Sequence, residues 1–294
     1  MERYGHGGRP IVLLHGFGTC AFLWRNVGPA LALAGYTAYA IDLLGHGESD
    51  RPFDAAMHVE AQALYLDRAL TALRLARAAV AGVDLGATVA LRLAADRPER
   101  VERIALINPL AYENIPADDV RALQRNTARF ALRVSRGVLG AAPLLIPLLE
   151  GSVSDPAHMP MRLVARYLAP FVGREGVAHL LALARTITRE DFDSISLENV
   201  RAPTLVIRSE GDRWVEGDIA KRLVIALLPH ARLVELPVVG RLIPEEDPDA
   251  LADLLTDLTA ERWGDAARRE STPSDAFYSG ADAADLATGG STGP

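Results

Sequence analysis

The segment at residues 78–96 constrains the fold of this chain more than any other. A short apolar run at 78–83 leads directly into Asp84, and an apolar pattern of helical period begins at Ala87. An apolar run of this length followed by a periodic segment is typical of a buried strand, a sharp turn and the start of a helix. We therefore predict a strand–turn–helix unit of an α/β sheet, with an acidic residue in the turn.

The same alternation of short apolar runs and amphipathic stretches extends over most of the chain, which is typical of βαβ units and a mainly parallel sheet. Strands are predicted at 11–14, 37–41, 78–83, 104–107, 204–207 and 232–236. Helices are predicted at 22–33, 58–73, 87–96 and 249–262. Between 111 and 197 no run is typical of a buried parallel strand, and helices are predicted at 120–136, 161–171 and 177–189.

This change of pattern predicts four segments. We expect a first part of an α/β core at 1–110, an inserted helical lid at 111–198 and a second part of the core at 199–263. The last segment, 264–294, is rich in Ser, Thr, Gly, Asp and Ala and has no large apolar period, so we expect a disordered tail.

Composition excludes several classes of partner. With 294 residues, 49% of them hydrophobic, the chain can bury a sizeable core. A net charge of −7 argues against nucleic acid or an anionic membrane as a partner, because both require a basic surface. The single cysteine, Cys20, cannot form an internal disulfide, and no run is typical of a secretory signal or a membrane span. We expect a cytoplasmic protein that binds a small molecule, with no cofactor and no metal site.

Several motifs then occur in a fixed order. They are His15-Gly16-Phe17-Gly18 after the first strand, the turn at 42–49, the Gly-x-Asp-x-Gly pattern at 82–86, Gly211-Asp212-Arg213 after a later strand, and the loop at 240–248. Together they resemble the α/β-hydrolase superfamily over residues 3–263, with a lid inserted after the sixth strand. The resemblance implies an α/β-hydrolase fold, in which the pattern at 82–86 is the nucleophile elbow.

The resemblance also assigns roles to individual residues. Asp84 stands where the family usually has its nucleophilic serine, and Arg241 stands where it usually has its catalytic histidine. Asp212 corresponds to the acid of the triad. The backbone N–H groups of Phe17 and Leu85 correspond to the oxyanion hole, which we expect to remain available because side-chain replacement does not remove backbone donors.

The aspartate has a precedent, since haloalkane dehalogenases and epoxide hydrolases of this superfamily use an aspartate nucleophile. Those enzymes usually have Trp after the aspartate, whereas this chain has Leu85, as in serine hydrolases. An aspartate can open an epoxide or displace a halide without a base, but hydrolysis of the resulting ester requires a group that accepts a proton from water. Arginine cannot accept that proton, so Arg241 predicts that such an enzyme stalls after one turnover.

Charge suggests that the two replacements compensate each other. Asp84, Asp212 and Arg241 carry a summed charge of −1, as do Ser, neutral His and Asp. A flat guanidinium can bridge both carboxylates. The bridge is either purely structural, in which case the site is inactive, or it holds Asp84 as a general base or acid while the oxyanion hole stabilises an enolate or a polarised carbonyl.

Other side chains are candidates for substrate contacts. Four aromatic residues are expected near the cavity or in the lid, although packing in the core is an alternative for the tryptophans: Trp24, Tyr112, Tyr167 and Trp214. The histidines of the motifs, His15 and His46, are expected to stabilise loops. Of the lid histidines, His158 or His179 could replace the missing base, but exposure to solvent is the expected outcome for both.

Three hypotheses follow. The leading one is a non-hydrolytic enzyme that catalyses elimination, isomerisation or cyclisation of a mostly apolar small molecule, with Asp84 as general base or acid. Of the 31 basic residues only Lys221 is lysine, which indicates a GC-rich bacterial genome and, with the lid, a biosynthetic substrate of secondary metabolism. The second hypothesis is a hydrolase of an epoxide, halide or ester that uses Asp84 as nucleophile. The third is an inactive ligand-binding protein.

Overall fold

A computed structural model describes residues 1–52, 54–125 and 140–260 of the chain. Its centre is a seven-stranded sheet in the order β1-β3-β2-β4-β5-β6-β7, in which β1 is antiparallel to β3 and the other neighbours are parallel. The strands are β1 Glu2–Tyr4, β2 Arg9–Leu14, β3 Tyr36–Ile41, β4 Ala78–Val83, β5 Val101–Ile107, β6 Thr204–Ser209 and β7 Ala231–Leu236. The predicted α/β-hydrolase architecture with a mainly parallel sheet is confirmed.

The central strand β4 is buried along all six of its residues because helices cover both faces of the sheet. The core helices are α1 Val27–Leu33, α2 Val59–Ala72, α3 Leu85–Asp96, α9 Gly217–Ala226, α10 Ile243–Glu246 and α11 Pro248–Thr259. Helix α1 packs against α11, and α2 packs against α3. Eleven of the twelve residues of α3 are buried, so the helix that follows Asp84 is part of the core.

The described residues between β5 and β6 contain helices and short 3-10 turns but no strand of the sheet. The helices are α4 Asp118–Gln124, α5 Ala142–Gly151, α6 Met161–Leu168, α7 Gly173–Thr186 and α8 Glu190–Asp193. The predicted helix at 161–171 corresponds to α6 and a 3-10 turn, and α7 begins four residues before the predicted start of the next one. The predicted helix at 120–136 begins as α4, and its part beyond residue 125 lies outside the described residues.

Two details differ from the prediction. The insertion follows the fifth strand and not the sixth, because only five strands precede it in the described part of the chain. Helix α5 was not predicted. Its sequence is almost entirely apolar and so has no helical period, and Pro147 lies in its interior, where proline disfavours a helix.

The described residues as far as Ala260 belong to one compact unit. That the segment at 111–198 acts as a lid stays a prediction, and the predicted tail at 264–294 lies outside the described residues. Within the described ranges, no helix combines the length and the apolar character needed to cross a bilayer.

The topology brings the predicted site residues to one edge of the sheet. Asp84 follows the carboxyl end of β4, Asn108 follows β5, and Asp212 lies three residues beyond β6. In open parallel sheets this edge is where ligands bind.

Candidate active site

Asp84 occupies the sharp turn between β4 and α3. Its backbone φ of 54° and ψ of −118° lie in a region that residues with a side chain rarely adopt. The backbone N–H of Asp84 donates to the carbonyl oxygen of Ile107 at 2.9 Å, which ties the turn to β5. The residue is 2% exposed, so the strained turn places a carboxyl group inside the protein.

One of the two predicted oxyanion-hole donors binds the carboxylate of Asp84 itself. The backbone N–H of Phe17 donates to Asp84 Oδ2 at 2.9 Å. A Cβ at Gly16 would lie 2.8 Å from the Asp84 side chain, so the close approach requires glycine. The Phe17 donor is therefore taken by Asp84, because a carboxylate extends one atom beyond a serine hydroxyl, and the use of the Leu85 N–H in an oxyanion hole stays a prediction.

Arg241 is 3% exposed and lies among carboxylates. Its Nη1 is 3.5 Å from Asp84 Oδ1, and its Nε is 3.6 Å from Asp212 Oδ2. The guanidinium carbon is 5.7 Å from the ring centroid of Trp214. The structure thus brings together the three residues that the sequence predicts as a rewritten triad.

A fourth member of this cluster was not predicted. Asp119, in the first turn of α4, accepts from Arg241 Nη1 at 2.8 Å, the shortest of the arginine's ion pairs. Three buried carboxyl groups therefore surround one guanidinium, and the formal charge is −2, not the −1 expected from the sequence. Two acidic residues at a helix start, Asp118 and Asp119, suit the helix dipole on a surface, so the sequence carries no signal that one of them is buried.

Asn108 and Ser209, which the sequence analysis also missed, fix the backbone of the arginine loop. Asn108 Nδ2 donates to the carbonyl oxygen of Arg241 at 3.1 Å and to Ser209 Oγ at 2.8 Å. Ser209 Oγ donates to the carbonyl oxygen of Gly240 at 2.8 Å. These buried bonds connect the ends of β5 and β6 to the loop, and so hold the guanidinium beside Asp84.

The electrostatics of the cluster follow from burial and from the excess of carboxyl groups. Burial, the largest effect, and the neighbouring Asp119 raise the pKa of Asp84, while Arg241 and the backbone N–H groups of Phe17 and Leu85 lower it, so that the resulting pKa is about 6. Burial also raises the pKa of Asp212. For Arg241, burial lowers the pKa, but its three carboxylate neighbours outweigh that effect and raise it, so the guanidinium remains charged.

The raised pKa of Asp84 makes the stability of the protein depend on pH. The folded state binds the Asp84 proton more tightly than the unfolded chain. The contribution of this proton to the free energy of unfolding is therefore complete below the unfolded pKa of 3.8 and is lost as the pH rises through about 6.

Asp84→Asn removes this titration. We compare the free energy of unfolding of the variant with that of the wild type by urea unfolding. The difference, variant minus wild type, should increase by roughly 2 kcal/mol between about pH 4.5 and about pH 8, because only the wild type loses stability over this range. The exposed Asp218→Asn is the control, and an unchanged difference at both pH values would contradict the assignment.

Of the predicted substrate residues, Trp214 belongs to the cluster. Its backbone N–H donates to Asp212 Oδ1 at 2.8 Å, and its Nε1 donates to the carbonyl oxygen of Gly151 at 3.0 Å. Trp24 is fully buried, and its Nε1 has no hydrogen-bond partner within the described ranges. The described contacts do not connect Trp24 to the cluster, so its role in substrate binding stays a prediction.

The two predicted substrate tyrosines contact other parts of the protein. The ring of Tyr112 packs against Phe192 with centroids 4.6 Å apart, and the guanidinium carbon of Arg222 lies over the same ring, 4.3 Å from its centroid. The hydroxyl of Tyr167 donates to Glu245, which also forms an ion pair with Arg25 at 2.6 Å. The Tyr167 hydroxyl is therefore engaged away from Asp84, and a role of either tyrosine in substrate binding stays a prediction.

Tyr167→Phe tests whether the Tyr167 hydroxyl serves Glu245 and not a substrate at Asp84. Removal of the hydroxyl leaves the buried Glu245 with one donor fewer, so we expect a loss of about 1–2 kcal/mol in the free energy of unfolding. We expect catalytic turnover to change by less than about twofold, since no contact joins Tyr167 to Asp84. A loss of turnover in a variant of wild-type stability would restore Tyr167 to the site.

None of the seven histidines, all of which lie in the described part of the chain, forms a hydrogen bond or an ion pair with Asp84. The buried His15 accepts from the backbone N–H of Leu43 at 3.0 Å and stabilises its loop, as predicted. Its ring is 5.1 Å from that of His46, and burial lowers the pKa of both. His158 lies 3.7 Å from Glu246, and His179 bonds the carbonyl oxygen of Gly45 at 2.6 Å. His158 and His179 therefore do not supply the missing base in this structure.

Comparison with known proteins places these features in a family. A family model described as "alpha/beta hydrolase fold" matches residues 9–248. A 2-hydroxy-6-oxononadienedioate/2-hydroxy-6-oxononatrienedioate hydrolase of Burkholderia vietnamiensis is 30% identical over 251 residues, covering 81% of each chain. A putative carbamate hydrolase, RutD, of Klebsiella pneumoniae is 30% identical over 85% of this chain and 91% of its own. Among solved structures, Cfl2 of Burkholderia cenocepacia superposes with a TM-score of 0.71 at 26% identity, covering 86% of this chain and 89% of the other. The family match, the sheet and the strand–turn–helix at Asp84 agree, and the chain belongs to the α/β-hydrolase fold family.

Proposed function

We propose that this protein is a non-hydrolytic enzyme in which Asp84 moves a proton during elimination, isomerisation or cyclisation of a mostly apolar small molecule. The observation that carries the proposal is the charged, buried guanidinium of Arg241 at 3.5 Å from Asp84 Oδ1, where a hydrolase of this family needs a group that accepts a proton. The relatives are named as hydrolases, so the proposal departs from them at this one position.

The two oxygens of Asp84 differ, and the difference suits a general base. Oδ2 is held by the backbone N–H of Phe17, whereas Oδ1 is buried and has no hydrogen-bond partner among the described residues. A pKa of about 6 leaves the group mostly ionised at neutral pH yet able to return a proton. Oδ1 can therefore take a proton from a substrate carbon and return it, without any group that activates water.

The other members of the cluster act through Asp84. In this proposal Arg241 keeps the carboxylate ionised in spite of its burial, and Asp119 and Asp212 fix the orientation of the guanidinium. The backbone N–H of Phe17 holds the base in place, and does not serve as a donor to the substrate. Trp214 covers the guanidinium and separates it from water.

The second hypothesis, a hydrolase with Asp84 as nucleophile, has the relatives' names in its favour. Against it, the described residues place no imidazole beside Asp84, and arginine cannot replace one as a base. The third hypothesis, binding without turnover, is compatible with the same geometry as the proposed proton transfer. It differs only in that the bound ligand has no reactive C–H bond next to Asp84 Oδ1. Experiment separates the three.

Exchange of hydrogen for deuterium tests the proposed proton transfer directly. Acetophenone, whose methyl protons are acidic, would be incubated with the protein in D₂O, and deuterium uptake would be followed by NMR. We expect uptake faster with wild type than with Asp84→Asn, and the exposed Asp218→Asn should behave as wild type. Equal uptake with wild type and Asp84→Asn would contradict proton transfer by Asp84 and favour a binding protein. Product analysis after incubation with styrene oxide tests the hydrolase hypothesis, which predicts conversion to the diol in a reaction that depends on Asp84.

A further inference from the structure

Two nitrogens of the buried guanidinium, Nε and Nη2, have no hydrogen-bond partner within the described residues. Arg241 Nη1 is 2.8 Å from Asp119 Oδ2, and Nε is 3.6 Å from Asp212 Oδ2. Nη2 is buried as well, but within the described residues it has no hydrogen-bond acceptor. Buried N–H groups almost always have an acceptor, and an orphaned one at a candidate active site indicates that a ligand atom supplies it.

The usual place for a substrate oxygen is not open in this site. The backbone N–H of Phe17 already donates to Asp84 Oδ2 at 2.9 Å. A substrate oxygen that used this donor would have to displace a charged group. Arg241 Nη2 is a charged donor on the same guanidinium that faces Asp84 Oδ1, and it requires no displacement.

Charge selects among the ligands that could accept from Nη2. The cluster holds three carboxyl groups and one guanidinium, so a further carboxylate in the ligand would be repelled by its surroundings. A ligand amine could pair with Asp84 Oδ1 or Asp212 Oδ2, but it would leave Nη2 without an acceptor. An uncharged carbonyl oxygen satisfies Nη2 without adding charge.

The geometry points to an uncharged carbonyl compound as the substrate, its oxygen bound by Arg241 Nη2 and its adjacent carbon facing Asp84 Oδ1. This inference rests on the proposed function, which it extends to a substrate class. The C–H bond next to the carbonyl breaks and its proton moves to Oδ1. The electron pair forms an enolate, whose oxygen Nη2 stabilises, and the proton then returns to the same or another carbon.

Three probes of similar size and different charge test the substrate class. Acetophenone labelled with ¹³C at the carbonyl, benzylamine and benzoate would each be titrated into the wild-type protein and followed by NMR. We expect saturable binding of acetophenone with a downfield shift of its carbonyl carbon, because a hydrogen bond from a cation withdraws electron density from it. Benzylamine and benzoate should bind at least about tenfold more weakly. Tighter binding of either charged probe, or no saturable binding of acetophenone, would overturn the inference.

Arg241→Lys assigns the shift to the guanidinium, since lysine keeps the charge but lacks the planar fork. We expect the downfield shift to be lost in this variant and retained in Arg213→Lys, which changes an exposed arginine of the neighbouring loop. An unchanged shift in a folded Arg241→Lys protein would contradict the role of Nη2. If Arg241→Lys does not fold, the comparison of the three probes on wild type still decides the substrate class.

The outcomes separate this inference from the proposed function. A carbonyl shift that depends on Arg241, without deuterium uptake that depends on Asp84, would leave the binding mode and remove the catalytic proposal. Uptake that depends on Asp84, with an unchanged shift in Arg241→Lys, would leave the proton transfer and remove the carbonyl-binding role of Arg241.

Discussion

Asp84→Asn is expected to reduce the rate of α-proton exchange by about 10²–10⁴-fold, because the amide cannot accept the proton that the carboxylate takes. The substitution is nearly isosteric, so the N–H of Phe17 can still donate to the side-chain oxygen at position 84. The fold should therefore be retained. The rate would be measured by NMR in D₂O at about pH 8, where the carboxylate of the wild type is ionised.

The pH dependence of the wild-type rate strengthens this test. With Asp84 as the base, the rate should rise as the pH increases through about 6 and then reach a plateau, since the ionised form is the active one. Asp84→Asn should show no such rise. An Asn variant that is folded and retains more than about a tenth of the wild-type rate would contradict the assignment of Asp84 as the base.

Arg241→Met is expected to reduce the free energy of unfolding by about 3–5 kcal/mol at about pH 8. Methionine fills a similar apolar volume but leaves Asp84, Asp119 and Asp212 buried together without a cation. The loss should be smaller at about pH 5, because Asp84 is then protonated in the folded state and repels its neighbours less. Urea unfolding at both pH values measures the difference.

Arg213→Met is the matched control for this prediction. Arg213 lies one residue after Asp212 but is exposed, so its replacement should change stability by less than about 0.5 kcal/mol. A change of similar size in both variants, or an equal loss for Arg241→Met at the two pH values, would show that the buried cluster does not depend on its arginine as the geometry requires.

The parts of the fold that carry a local pattern were predictable. The apolar run that became β4 and the periodic segment that became α3 define the turn at Asp84 without reference to the rest of the chain. The loop of Arg241 was predictable by its position relative to the other motifs, and the structure places it beside the elbow. Local pattern, together with what the resemblance to the α/β-hydrolase superfamily implies for these loops, thus predicted the contact between Asp84 and Arg241.

What the sequence could not provide are contacts that depend on the packing of distant elements. Asp119 lies in α4, whose burial depends on how the inserted segment packs, so its pair with Arg241 had no local signal. The same is true of Tyr167, whose hydroxyl is directed to Glu245 by the packing of α6. The occupation of the Phe17 donor by Asp84 depends on the length of one side chain within a fixed loop geometry, which composition and spacing do not encode.

The central claim is that a guanidinium which cannot accept a proton stands beside Asp84, so that no water is activated there. Incubation with styrene oxide and 1-chlorobutane in water enriched in ¹⁸O, followed by mass analysis of the peptide that contains Asp84, tests this claim directly. Hydrolysis of an ester on Asp84 would transfer solvent oxygen into its carboxylate. We predict no ¹⁸O in that peptide, with or without a persistent adduct. Uptake of ¹⁸O at Asp84 together with release of the hydrolysed product would contradict the account.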